Sequence, residues 1–194
     1  FDMIFTNPPF GAKVEVDIEI AKRYELNSKA PEVLFIEACY NFLKPGGKMA
    51  IVLPDGILGN PNTEEVRLWI LKHFKLIASV DLPVETFLPQ VGVQASLLFL
   101  QKKTDEEMLI PIESEDYDVF MAIVEQVGKD RRGVPVYERD EDGAEILFPH
   151  VKRWLAYNEF GREVVRSRNE RIKRLADDLP KVTEEYRKFR FDKL

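Results

Sequence analysis

Phe1-Asp2-Met3-Ile4-Phe5-Thr6-Asn7-Pro8-Pro9-Phe10 opens the sequence, and the reading of the remaining residues follows from it. Met3 to Phe5 is a short apolar run of the kind that forms a buried strand. Two prolines stop it, because they lack the backbone N–H that a sheet ladder needs. A ring and a glycine follow, Phe10 and Gly11. A strand that ends this way makes a rigid, carbonyl-rich corner with one amide side chain and one flat ring. In α/β sheets, ligands sit beyond the carboxyl ends of the strands. The corner suits a planar group with an exocyclic amine. Such an amine donates two hydrogens, and the Asn7 side-chain oxygen and the Pro8 carbonyl would supply two acceptors. Drawing both N–H bonds out of conjugation would free the nitrogen lone pair for an electrophile, while Phe10 stacks on the ring. The plainer reading is a Pro-Pro turn that closes a strand.

Composition bounds the possibilities. The 194 residues suffice for one domain with a core and an appendage, with 45% hydrophobic and 32% charged residues. No apolar run approaches the length of a membrane span. The one cysteine, Cys39, excludes an internal disulfide and suits a reducing cytoplasm. His73 and His150 stand far apart, in no metal-ligand spacing. Net charge is −6, against a generally nucleic-acid-coating surface. Its distribution is uneven: residues 105–145 hold 4 basic and 14 acidic side chains, and residues 146–194 hold 13 basic and 8 acidic.

Residues 11–30 read as a polar connection, either a surface loop or a lid ordered by substrate, with a short exposed strand suggested by Val14, Val16, Ile18 and Ile20. Residues 31–43 predict a helix, with Leu34, Phe35, Ala38, Cys39, Phe42 and Leu43 as its apolar stripe. Lys44-Pro45-Gly46-Gly47 ends it, and the apolar run 48–53 predicts a buried parallel strand, completing a strand–helix–strand crossover. Asp55, just past that strand, is either a site residue or a helix cap. Asn62 or Thr63 caps a further helix with Glu64 and Glu65 in its first turn. Residues 75–82 predict a third strand. The short irregular linker to a fourth strand at 94–101 favours an antiparallel return.

Asn7-Pro8-Pro9-Phe10 resembles the catalytic motif of amino-methyltransferases that use S-adenosylmethionine, which act on adenine N6 in DNA, exocyclic amines in RNA or glutamine in proteins. The continuation narrows this. Asn7-Pro8-Pro9-Phe10-Gly11, then residues 43–58 with Pro54-Asp55-Gly56-Ile57-Leu58, then Phe87-Leu88-Pro89 and Gly92-Val93, resemble the modification subunit of type I restriction–modification systems, an adenine-N6 DNA methyltransferase. Gln94-Ala95-Ser96 departs from it where a threonine is expected. The resemblance spans residues 1 to about 103. It implies an α/β fold: the second half of a Rossmann-like sheet with an antiparallel last strand, followed by C-terminal helices. It implies S-adenosylmethionine as cofactor, double-stranded DNA as substrate, and a specificity subunit, with a restriction subunit, as partners. Asn7 and Pro8 would hold the N6 amine of a flipped adenine, Pro9 would complete the corner and Phe10 would stack. Phe87 would supply a ring on the other side or be an ordinary core residue. A sulfonium donor needs no general base, so positioning does most of the work.

No glycine-rich turn follows a strand, and no acidic residue stands at ribose-binding distance. The sequence opens inside a strand and reads as part of a longer protein, a C-terminal piece lacking the cofactor-binding half. Its first strand is then an exposed edge, open to self-association.

Beyond residue 103, residues 104–149 read as an acidic connecting region, a solvated stretch rather than a metal site. Within it, 117–128 predicts a glycine-closed helix and 134–137 an edge strand. Residues 150–194 read as basic helices, since Val165, Ile172, Leu179 and Tyr186 fall seven apart with Arg168, Leu175, Val182 and Phe189 between them. Such helices would pack on their own domain or dock on another subunit, or lay Arg162, Arg166, Arg171, Lys173 and Arg174 on phosphate.

Overall fold

The computed structural model describes residues 1–9 and 16–191. The apolar runs pair into a five-stranded mixed sheet in the order β1-β2-β4-β3-β5. The strands are β1 (Met3–Thr6), β2 (Lys48–Pro54), β3 (Phe74–Leu82), β4 (Ala95–Lys102) and β5 (Phe120–Ile123). β1 and β2 are parallel, and β4 inserts antiparallel between β2 and β3. The antiparallel return is therefore as expected. The ten-odd residues after β3 cannot carry a crossover, so the chain comes back beside its own strand.

One face is covered by α2 (Pro31–Phe42) and α4 (Glu64–His73). Val33, Ile36 and Cys39 from the first, Leu43 just past its end, and Trp69 and Ile70 from the second pack on Met49, Ile51, Leu53, Phe74, Leu98 and Leu100. Lys102 finishes α2: its ammonium donates to the carbonyls of Tyr40 (2.8 Å) and Leu43 (2.9 Å), which the helix end leaves unpaired. On the other face, Val80, Leu82 and Val124 form a smaller cluster with Leu97, Phe99 and Ala122, closed by Val182 of α5 (Leu179–Phe191). Tyr186 and Phe189 of α5 ring Phe120 at 5.3 and 5.5 Å.

From Val16, where the description resumes, the segment after the Asn-Pro-Pro corner is not the strand that alternation suggested. It contains α1 (Ile18–Ala21), capped by Asp17, whose carboxylate accepts from Glu19 N at 2.8 Å. The chain is then tethered. The buried Glu37 carboxylate accepts the backbone N–H groups of Glu25 (2.8 Å) and Leu26 (3.0 Å), and Trp69 Nε1 donates to Glu25 (2.9 Å). The lid reading falls partly on residues 10–15, which lie outside the described residues.

Thr63 does stand before α4, but its hydroxyl does not cap it. It faces the carbonyls of Ile57 and Asn60, both at 2.8 Å. Asn60 instead caps the 3-10 turn at Pro61–Thr63, accepting from Asn62 N.

Residues 117–128 are not a helix. They supply β5, parallel to β3, because period-two burial wins there: Phe120 and Ala122 turn toward α5 while Met121 and Ile123 are 73% and 76% exposed. Nor is the basic C-terminal region all helix. β6 (Leu147–Tyr157) and β7 (Glu163–Lys173) form an antiparallel ribbon, and α5 is the helix that follows. A seven-residue spacing does not by itself fold a helix. β6 carries the aromatics Phe148, Trp154 and Tyr157 with the β-branched Val151, and Asn158-Glu159-Phe160-Gly161 makes the reversal, with Gly161 at φ +68. Residues 134–137 form only isolated bridges, Lys129 with Pro135 and Tyr137 with Leu175. The acidic region is less solvated than its composition suggests: Glu107 pairs with Lys75, and Glu115 is buried against Lys103. Among the described residues, no helix is long and apolar enough to cross a membrane.

Candidate active site

The carboxyl ends of β1, β2 and β3 and the start of β4 make one edge of the sheet. Asn7 follows β1 directly and is exposed, Pro8 behind it is fully buried, and Pro9 is exposed. The buried proline ring anchors the corner, so the amide of Asn7 is presented from a fixed backbone. That amide has no hydrogen-bond partner among the described residues. Phe10 lies outside the described residues.

Asp55 stands at the end of the neighbouring parallel strand. Asn7 is one residue beyond the Thr6–Ile51 pair and Asp55 four beyond it. The peptide N–H of Asp55 donates to the Gln94 carbonyl at 3.1 Å, opening α3 (Asp55–Gly59). Its carboxylate caps nothing: Oδ1 accepts from Ser96 Oγ at 3.1 Å. Burial pushes this carboxyl above its ordinary range, the Ser96 hydrogen bond works against that, and the Asp81 charge adds to it.

From sequence, Gln94 and Ser96 stand out only as a departure from the resemblance, and neither they nor Asp81 is expected at the site. The register brings them together: Ser96 pairs with Leu53 on one side and with Asp81 on the other. Gln94 Nε2 reaches the Asp81 carboxylate at 3.2 and 3.3 Å. A signal was present. Asp81 is the one charged residue in the carboxyl-terminal half of β3, and the end-of-strand rule used for Asp55 applies to it equally.

Phe87 lies past the end of β3, after a 3-10 turn at Val84–Thr86, half-buried against the Val80–Leu82–Val124 cluster. In strand order β4 and β2 stand between β3, which Phe87 follows, and β1, which Asn7 follows, while Asn7 and Asp55 follow neighbouring strands. The edge as a whole is rich in acceptors: the Asn7 amide oxygen and the carboxylates of Asp55, Asp81 and Glu85. Such an edge receives a hydrogen-bond donor, not a phosphate.

This geometry has relatives. The chain is 33% identical over 102 residues to the type I restriction enzyme EcoEI methylase subunit of Escherichia coli, covering 52% of this chain and 21% of that protein. It is 31% identical over 104 residues to the EcoKI methylase subunit of Escherichia coli strain K12, covering 53% of this chain and 19% of that protein. It thus spans about a fifth of the length of these curated relatives. Among solved structures it is similar to a protein of Listeria monocytogenes described as a class I S-adenosylmethionine-dependent methyltransferase, with TM-score 0.51 and 26% identity over 63% of this chain and 36% of that one. The family model for N-6 DNA methylases matches residues 1–133, from the Asn7 corner through β5 and past it. With more than half of its length under that model, the chain belongs to the N-6 DNA methylase family.

Proposed function

We propose that this chain carries the acceptor-holding part of an adenine-N6 DNA methyltransferase, the modification subunit of a type I restriction–modification system. The observation that carries the reading is Asn7-Pro8-Pro9 at the carboxyl end of β1, within the span of the family match. The family match and the relatives favour DNA over RNA or a protein glutamine. S-adenosylmethionine is the methyl donor this class of enzyme uses, and it supplies an electrophilic methyl group. The described residues do not form a cradle for it. The adjacent glycines Gly46 and Gly47 precede β2, at the opposite end of the strand from Asn7.

The roles of the chain's own residues follow from chemistry. Asn7 Oδ1 and the Pro8 carbonyl take the two N6 hydrogens of an adenine turned out of the duplex. This draws the amine out of conjugation and leaves its lone pair facing the methyl group. Pro8 and Pro9 keep the two acceptors from relaxing. Phe10 stacks on the base, and Phe87 supplies a second ring. Asp55, held by Ser96, borders the base pocket and orders its polar edge. Catalysis is then chiefly positioning. A specificity subunit reads the sequence, with a restriction subunit as a further partner.

In the full-length protein, with its specificity subunit, Asn7→Ala is expected to lower methyl incorporation into duplex DNA by at least ~100-fold, in line with loss of a positioning acceptor. Substrate choice is tested by offering DNA, RNA and protein in parallel. Near-normal transfer by the variant, or transfer to RNA or protein alone, overturns the reading.

A further inference from the structure

The edge that holds Asn7 is acidic, whereas duplex DNA is a polyanion. Something else must grip the phosphates. The β6–β7 ribbon has the charge to do it. Residues 147–174 hold eight Lys and Arg against three Glu, in a chain whose net charge is −6. Lys152, Arg153, Arg162, Arg166 and Arg171 make no ion pair among the described residues.

The register sorts these groups. Lys152 pairs across the ribbon with Arg168, and Trp154 pairs with Arg166. Alternation puts all four side chains on one side. That side carries three cations around a ring that is 41% exposed, with Glu170 bonded to Arg168 at 3.0 Å as its acid. The opposite side carries Arg153, Arg171 and Lys173, the last paired with Glu145, set among the apolar Val151, Leu155, Tyr157 and Val165.

The ribbon is also rooted at the right place. Val124 N, at the end of β5, donates to the Asp81 carbonyl at 2.9 Å. Lys129 Nζ donates to the Leu88 carbonyl (3.1 Å), and Arg131 Nε donates to Glu85 (3.0 Å). These bonds fasten the segment after β5 to the loop at the carboxyl end of β3. The same segment pairs with the foot of the ribbon through Glu138 N to the Arg174 carbonyl and Ala176 N to the Val136 carbonyl, both 2.9 Å. The ribbon therefore springs from the sheet edge that presents Asn7.

We propose that the β6–β7 ribbon is a DNA-gripping arm that lays its Lys152–Trp154–Arg166–Arg168 side on the phosphates of duplex DNA. This rests on the reading of the chain as part of a DNA methyltransferase. Eleven paired residues span about 37 Å, close to one turn of a duplex, and a two-stranded ribbon fits a major groove. The contacts are to backbone, so the arm adds affinity and register without sequence preference.

The test uses the full-length protein and a labelled duplex of about two helical turns. Binding is measured by anisotropy over a range of salt concentrations. For Lys152→Gln/Arg166→Gln/Arg168→Gln, affinity is expected to fall on the order of tenfold or more. The slope of log affinity against log salt is expected to flatten by about 2–3, at ~0.9 per phosphate contact. Arg166→Lys/Arg168→Lys, which keeps the charges, is expected to retain the wild-type slope, separating lost charge from lost folding. Wild-type affinity and slope in the triple variant overturn the proposal. So does retained DNA affinity with loss of a co-purifying protein subunit, which would make the ribbon a protein-docking element. Loss of the slope in both variants overturns it as well, since the charge is then not the cause. Methyl transfer is scored separately. A wild-type protein that methylates DNA while its ribbon variants bind normally refutes the arm alone, and one that never methylates DNA refutes the underlying reading.

Discussion

Ser96 Oγ donates a 3.1 Å hydrogen bond to Oδ1 of Asp55, joining the start of β4 to the end of β2. The two residues are 41 positions apart and meet only because β4 runs antiparallel beside β2. Burial holds the Asp55 carboxyl above its ordinary value of 3.8, against the pull of this hydrogen bond, with the Asp81 charge adding to burial. A carboxyl raised in the folded state binds its proton more tightly folded than unfolded. Its ionisation therefore opposes folding above the folded-state pKa, and the penalty vanishes below 3.8. Asp55→Asn is expected to raise the melting temperature at neutral pH, with the gain shrinking as pH falls toward that value. Thermal unfolding at a series of pH values checks this, and a difference that does not change with pH would count against burial as the cause.

The second prediction concerns an ion pair in the core. Lys103 Nζ lies 2.6 Å from the Glu115 carboxylate, with side chains 1% and 7% exposed, and also donates to the Leu71 carbonyl at 2.6 Å. Removing one partner strands a buried charge. Glu115→Leu is expected to destabilise by ~3–5 kcal/mol, and Lys103→Met/Glu115→Leu to recover most of that loss. Urea unfolding of the single and double variants is the measurement. A single variant within about 1 kcal/mol of wild type would show that the pair is dispensable.

A third prediction follows from the edge of the sheet. Among the described residues β1 pairs only with β2, and Met3 and Phe5 are 55% and 73% exposed. Unpaired N–H and C=O groups beside an apolar side chain template association with a second copy. The 194-residue chain is expected to gain mass with concentration, and Phe5→Lys to suppress that gain, because a charge on an edge strand blocks pairing. Light scattering over a concentration series decides it, and equal behaviour of the two proteins would sink the idea.

The sequence by itself determined the elements whose signals are local. Apolar runs marked β1 to β4, helical spacing with Pro31 at the start marked α2, and the Asn-Pro-Pro corner marked the end of β1 as the candidate site. The short linker after β3 also announced an antiparallel return, since loop length limits topology. Only the tertiary structure decided the rest. Residues 117–128 and 163–173 have spacings that a helix or a strand satisfies about equally, and their partners, β3 and β6, chose strand. Ser96 and Asp81 joined the site through register, which no local pattern encodes. The basic residues of the C-terminal region were visible as composition, but which of them share a side of a ribbon came from cross-strand pairing. In each case the deciding energy lies in contacts between residues distant in sequence, which become legible only once the chain has folded.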